Sequence, residues 1–487
     1  MLIYIKNKLD QLISTNKTIN GSLWTISGQI FANLLRLCSN LIMAWLLVPE
    51  AFGVIAIISV LLIGVNLLTD FGLSASIIRS KRGTEHNFIN TLWTLQIIRG
   101  VVMWIICLLI AEPIASFYNE EILSILVPVA GFVFIVKGFR STSLALLNRK
   151  LEIKKIIIWE LSSQLLGILV MVTYGVFDPV VWALIVGSIV DALTKTVSSF
   201  FVGNPIKHKL YIENEAFLEI FGFGKWLFVS SLFNFLATNF DKLILGKLVA
   251  LSTLGVYHIA KIVADIPLMV IQQLSSRVLY PLYSFDNRSS EGLIYSKIVR
   301  LRNILLAFVL LMVICIVVLS EIFFTNFYRD SYIGASWIAP LLCINVWIVS
   351  LQATLDGVPL AMGLSRITAS VSIIATIAKI FFSIVGFLLF ELQGFILGLA
   401  LGSLVSYTFF SSKLKQLGFS FMRQDLLFTL YLGLTVVLYY GMQNVNGIIF
   451  DVGPYVLSIG FIFIAITVFI LYILFYVRVF PAIKHNI

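Results

Sequence analysis

Charged residues are scarce in this chain of 487 residues. Asp, Glu, Lys and Arg make up 12% of the sequence, whereas hydrophobic residues make up 60%. Soluble domains carry about 25% charged residues, so the composition excludes a water-soluble fold. The net charge of +10 does not indicate nucleic-acid binding, because the basic residues lie in short segments between apolar runs and not together on one aqueous face. No nucleic-acid partner is therefore predicted.

Cysteines and nucleotide-binding motifs are also rare. The four cysteines all lie inside apolar runs, where they pack as small hydrophobic residues and show neither a disulfide framework nor zinc spacing. The chain has no GxxxxGK[ST] phosphate loop, which argues against an ATP-driven pump subunit. No cofactor and no metal site are predicted. The first 20 residues lack a cleavable signal pattern and are interpreted as a short basic cytoplasmic segment.

Long apolar runs are abundant. A helix needs about 20 apolar residues to cross the hydrocarbon core of a membrane, and the sequence has about fourteen such runs. The predicted fold class is an all-α integral membrane protein with about 14 transmembrane helices. The predicted spans lie near 22–48, 52–78, 89–111, 123–147, 153–176, 180–202, 222–249, 252–282, 298–320, 336–362, 368–390, 392–412, 425–442 and 453–478.

The first half of the chain reappears in the second half. The segment from Trp24 aligns without gaps with the segment from Trp226, and Gly53 then falls on Gly255. In a membrane protein such a repeat predicts two similar helical bundles that face each other. The final two spans have no counterpart in the first half. The predicted organisation is an N-terminal six-helix bundle at 1–203, a cytoplasmic linker at 204–221, a C-terminal six-helix bundle at 222–415 and two additional helices with a short tail at 416–487.

The charges of the loops predict the orientation in the membrane. With the N-terminus inside, the inner loops hold most of the lysines and arginines, Arg302 among them, whereas the outer loops hold mainly acids and Arg329. Cytoplasmic loops carry an excess of Lys and Arg, so both termini are predicted to be cytoplasmic.

Several cations lie deep inside predicted spans of the first half. Arg36, Arg99, Lys137 and Arg140 have no acid in their own helix with which to pair. Ionisable groups in a span are costly and indicate function; the alternatives are pairing across helices with Asp70, Glu160 or Asp191, and, for Lys137 and Arg140, reaching toward the membrane surface. Polar residues spaced by four, three and four place one stripe of the first helix toward an aqueous cavity. That stripe consists of Gln29, Asn33, Arg36 and Asn40.

The second half carries carboxylates as well as cations. Asp241 and Asp265 are candidates for binding a coupling ion, H⁺ or Na⁺, and Lys242 and Lys261 are near enough in sequence to compete with it. Lys261 with Asp265 can also neutralise each other, because four-residue spacing places both on one helical face. The same interpretation applies to Asp191 with Lys195.

An excess of cations at mid-membrane predicts an anionic substrate. Arginine suits phosphate because its planar fork donates two hydrogen bonds. The predicted substrate therefore carries phosphate, pyrophosphate or acidic sugars. A transporter of cations would instead show an excess of deep carboxylates.

Two segments resemble a known family. Residues 46–79 (LLVPEAFGVIAIISVLLIGVNLLTDFGLSASIIR) and 241–268 (DKLILGKLVALSTLGVYHIAKIVADIPL) are similar to stretches of Wzx-type polysaccharide flippases, in the branch of colanic-acid exporters. That family belongs to a superfamily with MATE multidrug exporters and lipid II flippases. The resemblance covers essentially the whole chain.

The resemblance implies a function and a place in the cell. The implied protein is a flippase of the bacterial inner membrane that turns undecaprenyl-pyrophosphate-linked oligosaccharide between leaflets, coupled to an ion gradient, with polymerase and chain-length proteins of the same pathway as partners. It implies a V-shaped pair of bundles and a cationic cavity. Arg36 best matches the arginines that related flippases place at the pyrophosphate, whereas Arg99 and Arg140 correspond by helix and depth only. Asp70 lies in the first motif and is a candidate charge partner.

Two other function classes remain open from the residues alone. A multidrug exporter of the same fold is disfavoured by the excess of deep cations. A membrane polysaccharide polymerase or ligase is disfavoured because no outer loop exceeds about 20 residues, which leaves little room for a catalytic surface outside the membrane. The chain is thus predicted to be a transporter and not an enzyme.

Overall fold

The structure is a computed structural model, and every regular element in the part of the chain that it describes is a helix. The chain divides into two compact units. The first unit is Met1–Phe235 with Asp241–Gly255, and the second is Leu236–Phe240 with Val256–Ile487. The described residues are 24–25, 27–68, 77, 80, 82–150, 152–203, 206–217, 235–236, 238–280, 282–283 and 291–446.

The first unit is built mainly from long apolar helices. Helices α3 and α4 pack on each other, as do α6 and α7. The helices are α1 (Ser27–Leu46), α2 (Pro49–Leu68), α3 (His86–Tyr118), α4 (Ile122–Gly138), α5 (Ser143–Arg149), α6 (Ile153–Phe177), α7 (Trp182–Ser199) and α8 (238–248), of which residues 238–240 belong to the second unit.

The second unit continues the same architecture. Helix α9 begins in the first unit and continues in the second, and a π-helix at Ser275–Leu279 follows α10. The 3₁₀ turn Asp330–Tyr332 precedes α12. The helices are α9 (Leu251–Ala264), α10 (Ile266–Leu274), α11 (Glu291–Phe327), α12 (Ala335–Ala353), α13 (Gly357–Ala361), α14 (Ser365–Gln416) and α15 (Met422–Asn446).

Eight helical segments of the described part are long and apolar enough to span a membrane, or nine if α4 and α5 count as one span. These segments make the chain a multi-pass membrane protein. The count of fourteen and the two six-helix bundles stay predictions. One predicted span was wrong in its form: the run 123–147 is not one continuous helix, because α4 ends at Gly138 and α5 continues at an angle of 63°.

Helix α14 is a hairpin of two helices. Phe390 and Glu391 leave the helical conformation, with φ/ψ of −141°/29° and 49°/−134°, where the sequence places the boundary between the spans 368–390 and 392–412. The small-residue seam at Gly394, Gly398 and Gly402 packs against the first arm. A Cβ atom at Gly402 would lie 2.5 Å from Cα of Lys379, and one at Gly398 would collide with the carbonyl of Phe382. The seam is therefore a site of helix packing, as expected for glycines that recur every four residues in a membrane-spanning helix.

Two glycines at equivalent positions of the repeated sequence lie where two helices approach each other closely. A Cβ atom at Gly53 would collide with the carbonyl of Leu251, and one at Gly255 would collide with the carbonyl of Pro49. Gly53 and Gly255 are the glycines that the repeat alignment superimposes. Both lie in the first unit, where the starts of α2 and α9 approach closely because neither glycine has a side chain.

Candidate functional site

The close packing of α3 on α4 places two predicted cations on neighbouring helices. A Cβ atom at Gly100 would lie 2.5 Å from the carbonyl oxygen of Phe134, and one at Gly138 would lie 3.2 Å from that of Gln96. The two backbones can approach this closely only because both positions are glycine. Arg99 precedes one glycine and Lys137 precedes the other.

Gln96 fixes the end of α4. Its side-chain nitrogen lies 3.0–3.1 Å from the carbonyl oxygens of Lys137, Gly138 and Arg140. These carbonyls lie where α4 ends, and the last carbonyls of a helix have no partner within the helix itself. A single amide on α3 therefore holds the backbone on both sides of the bend between α4 and α5.

Arg99 is fixed on α2. One guanidinium nitrogen donates to the backbone oxygen of Asn66 at 3.1 Å and to its side-chain oxygen at 2.8 Å. Both of these acceptors are neutral oxygens of Asn66.

Lys137 and Arg140 lie on either side of the end of α4. The guanidinium carbon of Arg140 lies 5.3 Å from the ring centroid of Trp159, a cation–π contact. Arg140 is attracted by Asp191 and Glu160 but forms no salt bridge within the described residues. Lys137 is exposed. Its charge is repelled by Arg140, Lys195 and Arg99 and attracted by Asp191.

Asp191 pairs with Lys195 on α7, as the sequence predicts. The lysine nitrogen lies 2.9 Å from the carboxylate, and both side chains are partly buried. The residues that interact here form a group that we call the cationic cluster. Its four cations outnumber its two carboxylates among the described residues, so the group attracts anions. The cluster consists of Arg99, Lys137, Arg140, Lys195, Glu160 and Asp191.

The polar stripe of the first predicted span lies on α1. Arg36 is exposed there, and its guanidinium group makes no hydrogen bond and no salt bridge with any residue that the structure describes. The structure thus brings Arg99, Lys137 and Arg140 into one group but does not join Arg36 to it by a contact. Asn33 and Asn40 are partly buried on the same helix.

The candidates for ion coupling are divided between the two units. Asp241, which is 2% exposed, and Lys242 lie on α8 in the first unit. Lys261 and Asp265 lie in the second unit, where Asp265 occupies the junction between α9 and α10. Its backbone N–H donates to the carbonyl of Lys261 at 2.9 Å. Asp70 lies outside the described residues.

The sequence pattern did not predict a buried charge pair in the second unit. Arg302, assigned to an inner loop, lies instead within α11 and is 0% exposed. It donates to Asp425 of α15 at 3.0 Å and to the hydroxyl of Thr354 at 2.8 Å. The hydroxyl of Tyr407 on α14 also donates to Asp425. The sequence does indicate a cation within the membrane here, because Arg302 falls inside the predicted span 298–320.

The chain is similar in sequence to proteins that are named for polysaccharide biosynthesis. It is 27% identical over 278 residues to the lipopolysaccharide biosynthesis protein WzxC of Escherichia coli (57% of this chain, 56% of the relative). It is 22% identical over 282 residues to the teichuronic acid biosynthesis protein TuaB of Bacillus subtilis (58% of this chain, 57% of the relative). The chain thus matches little more than half the length of these relatives.

The fold agrees with a solved structure over nearly the whole chain. The structure of the lipid II flippase MurJ in an inward closed conformation superimposes with a TM-score of 0.69 at 13% identity, covering 93% of this chain and 98% of that one. At this identity the likeness shows the fold alone. The sequence model of a family described as polysaccharide biosynthesis protein matches residues 42–337. That match covers more than half of the chain, and the protein therefore belongs to the polysaccharide biosynthesis protein family.

Proposed function

We propose that the protein is a flippase that moves undecaprenyl-pyrophosphate-linked oligosaccharide repeat units across the bacterial inner membrane. The observation that carries this proposal is the cationic cluster inside a multi-pass helical bundle. A pyrophosphate brings several negative charges into a bilayer, and arginines are suited to receive them because the guanidinium can donate two parallel hydrogen bonds.

The relatives support this class of substrate. Their names refer to lipopolysaccharide and teichuronic acid biosynthesis, and the solved structure is that of a lipid II flippase. Polysaccharide biosynthesis is thus common to proteins of different organisms, which fits a shared carrier lipid with different sugars. We infer that the product enters the synthesis of a surface polysaccharide, with a polymerase and chain-length proteins as partners in the pathway.

We assign the pyrophosphate to the first unit. Arg99, Lys137 and Arg140 carry the charge in the cationic cluster. Arg36 would contribute from α1, and Asn33 and Asn40 would donate further hydrogen bonds. Arg36 is suited to a ligand because no described residue neutralises it.

Transport is proposed to proceed by alternating access driven by an ion gradient. Asp241 and Asp265 would bind the proton or sodium ion, with Lys242, Lys261 and Asp70 as charge partners. The proposed topology has about fourteen helices with both termini in the cytoplasm, and the segment 204–221 as the cytoplasmic link between the two bundles.

The proposal is tested with purified protein in proteoliposomes that contain a fluorescent undecaprenyl-pyrophosphate oligosaccharide. We expect protein-dependent movement of the lipid between leaflets, abolished by Arg36→Ala and by Arg140→Ala, and partly retained by Arg36→Lys, which keeps the charge but loses the bidentate geometry. Arg366→Ala is the matched control, because Arg366 is also exposed but lies in the second unit. Equal rates for Arg36→Ala, Arg140→Ala and this control would contradict the proposal.

The same vesicles distinguish a flippase from a multidrug exporter of the same fold. A multidrug exporter of this fold would move an organic cation and would be indifferent to the lipid-linked sugar. Transport of a cationic dye without movement of the lipid would therefore contradict the proposed function and indicate drug export.

A further inference from the structure

The segment that follows α7 has no regular secondary structure and lies against α3 of the first unit. We call residues 206–213 the strap. Three of its backbone N–H groups, two residues apart, donate to side chains of α3. Lys209 donates to Asn90 at 3.1 Å, Tyr211 to Thr94 at 3.0 Å and Glu213 to Thr91 at 2.9 Å.

The three acceptors are buried, and an ion pair fixes the last residue of the strap. Asn90, Thr91 and Thr94 are each less than 10% exposed, so a detached strap would leave them without these donors. The carboxylate of Glu213 lies 2.7 Å from the guanidinium of Arg82. Because backbone groups and not side chains of the strap make the three bonds, its course is fixed irrespective of which residues occupy the exposed positions.

His208 connects the strap to the bend between α4 and α5. Its ring stacks on Trp93, with centroids 4.9 Å apart and an interplanar angle of 16°, and meets the edge of Phe200. Its Nε2 lies 3.0 Å from the hydroxyl of Ser141. That hydroxyl also accepts the N–H of Ser143 at 3.2 Å, which is the first residue of α5.

The bend that His208 contacts carries Arg140 and directly follows the end of α4, where Lys137 lies. Trp93 donates from its ring nitrogen to the carbonyl of Phe139 at 3.4 Å. Gln96, one turn further along α3, holds the carbonyls of Lys137 and Arg140. His208 thus packs on the tryptophan that contacts the bend from one side and bonds to the serine that forms it.

We propose that His208 of the strap is a positioning residue for the anion site: it holds the bend at 139–142 so that Lys137 and Arg140 face the pyrophosphate together. This inference rests on the proposed function. It gives the segment between the two halves of the chain a role in binding the substrate headgroup, in addition to joining the halves.

The test is a double-mutant cycle on ligand affinity. The probe is undecaprenyl pyrophosphate in detergent, titrated against the purified full chain. His208→Phe keeps a ring against Trp93 but removes the bond to Ser141, and we expect it to weaken binding about fivefold, the effect of one lost hydrogen bond. Leu210→Ala is the control, because Leu210 lies on the same strap and is 71% exposed, and its affinity should equal that of the wild type.

The cycle is completed in the background of Lys137→Ala with Arg140→Ala. If His208 acts through these cations, His208→Phe should cause no further loss once they are removed, whereas independent effects add. Equal losses in both backgrounds, or no loss in the wild-type background, would overturn the positioning role. If the Lys137→Ala, Arg140→Ala protein binds as well as the wild type, the assignment of the headgroup to the cluster fails, and the positioning role fails with it.

A second measurement does not depend on the ligand. Hydrogen exchange of the Arg140 and Ser143 amides should be faster in His208→Phe than in Leu210→Ala, because the bend has lost its contact with the strap. Unchanged exchange at these amides would overturn the inference even if ligand affinity had fallen.

Discussion

Arg302 illustrates how the second unit accommodates a full charge in an apolar bundle. Its guanidinium is surrounded by Asp425, Thr354, Gln424 and the ring of Phe421. Burying two charges is costly unless they are paired and their remaining hydrogen bonds are satisfied. Here the acceptors come from α12 and α15, so the pair holds together helices that are far apart in sequence.

Removing one member of this pair should be much worse than removing both. We expect Arg302→Met to lower the free energy of unfolding by about 3–5 kcal/mol, because Asp425 is left charged and buried. The double variant Arg302→Met, Asp425→Leu should recover a large part of that loss. Denaturant unfolding in detergent measures both, with Arg366→Met as the exposed control. A double variant that is less stable than either single variant would show that the pair is not the source of the effect.

His208 should make attachment of the strap depend on pH. Burial lowers the pKa of His208 below its ordinary value of 6.5. Lys207 and Lys209 are the neighbours of His208 in the sequence of the strap, whereas Glu213, the acid of the strap, is paired with Arg82. Because the attached state favours the neutral ring, attachment is fully stable above the ordinary pKa and weakens as the pH falls from there toward the lowered pKa.

Hydrogen exchange of the strap amides measures this effect. After correction for intrinsic rates, the protection of the Lys209, Tyr211 and Glu213 amides should decrease between pH 7.5 and pH 5.5 in the wild type, the range on either side of the ordinary histidine pKa of about 6.5. In His208→Gln, which cannot be protonated in this range, it should stay constant. Equal pH dependence in the two proteins would assign the effect to another group.

At the scale of single elements, the hairpin in α14 depends on glycine. The two arms are in backbone contact along the seam, where Gly386 opposes Gly394 and Gly398 opposes Phe382. Without a hydrophobic driving force between helices in lipid, such close packing supplies much of the energy of association. The left-handed φ of Glu391 reverses the chain between the arms.

A large side chain in the seam should separate the arms. We expect Gly398→Leu to destabilise the protein by about 3 kcal/mol, the upper end for overpacking. Gly433→Leu is the matched control, because a Cβ atom at Gly433 meets nothing within 4 Å. Thermal unfolding in detergent compares the two. Equal unfolding temperatures of the two variants would mean that a large side chain in the seam does not lower the stability of the protein.

Sequence patterns predicted these elements to different degrees. The turn at 390–391, the Asp191–Lys195 pair and the packing role of the seam were all predictable, because each depends on residues close in sequence. The bend after Gly138 was not, because the carbonyls that it exposes are satisfied by Gln96 on another helix. Arg302 with Asp425 and His208 with Ser141 are 123 and 67 residues apart, and only the packing of the helices brings them together.

At the scale of the whole molecule, we propose that the repeat and the coupling candidates of the two units serve one transport mechanism. Repeat-equivalent positions Gly53 and Gly255 pack on each other, yet the two copies of the repeated sequence differ in charge. In the alignment, Thr238 replaces Arg36, so the second copy of this helix lacks the cation of the first. Such an asymmetry would assign anion binding to the first copy, and the coupling ion would bind at the carboxylates Asp241 and Asp265.

The coupling ion should be identifiable from net accumulation of the lipid-linked sugar in one leaflet of proteoliposomes. We expect accumulation only under an imposed proton or sodium gradient, and its loss on addition of the matching ionophore, because carboxylates within the membrane can bind either ion. Asp241→Asn and Asp265→Asn should each reduce gradient-driven accumulation while downhill movement of the lipid continues. The matched control is Asp330→Asn, since Asp330 is exposed in the turn before α12. Accumulation that ATP alone can drive, or that persists in both variants, would contradict ion coupling through these residues, whereas loss of downhill movement as well would place Asp241 or Asp265 in the transport path itself.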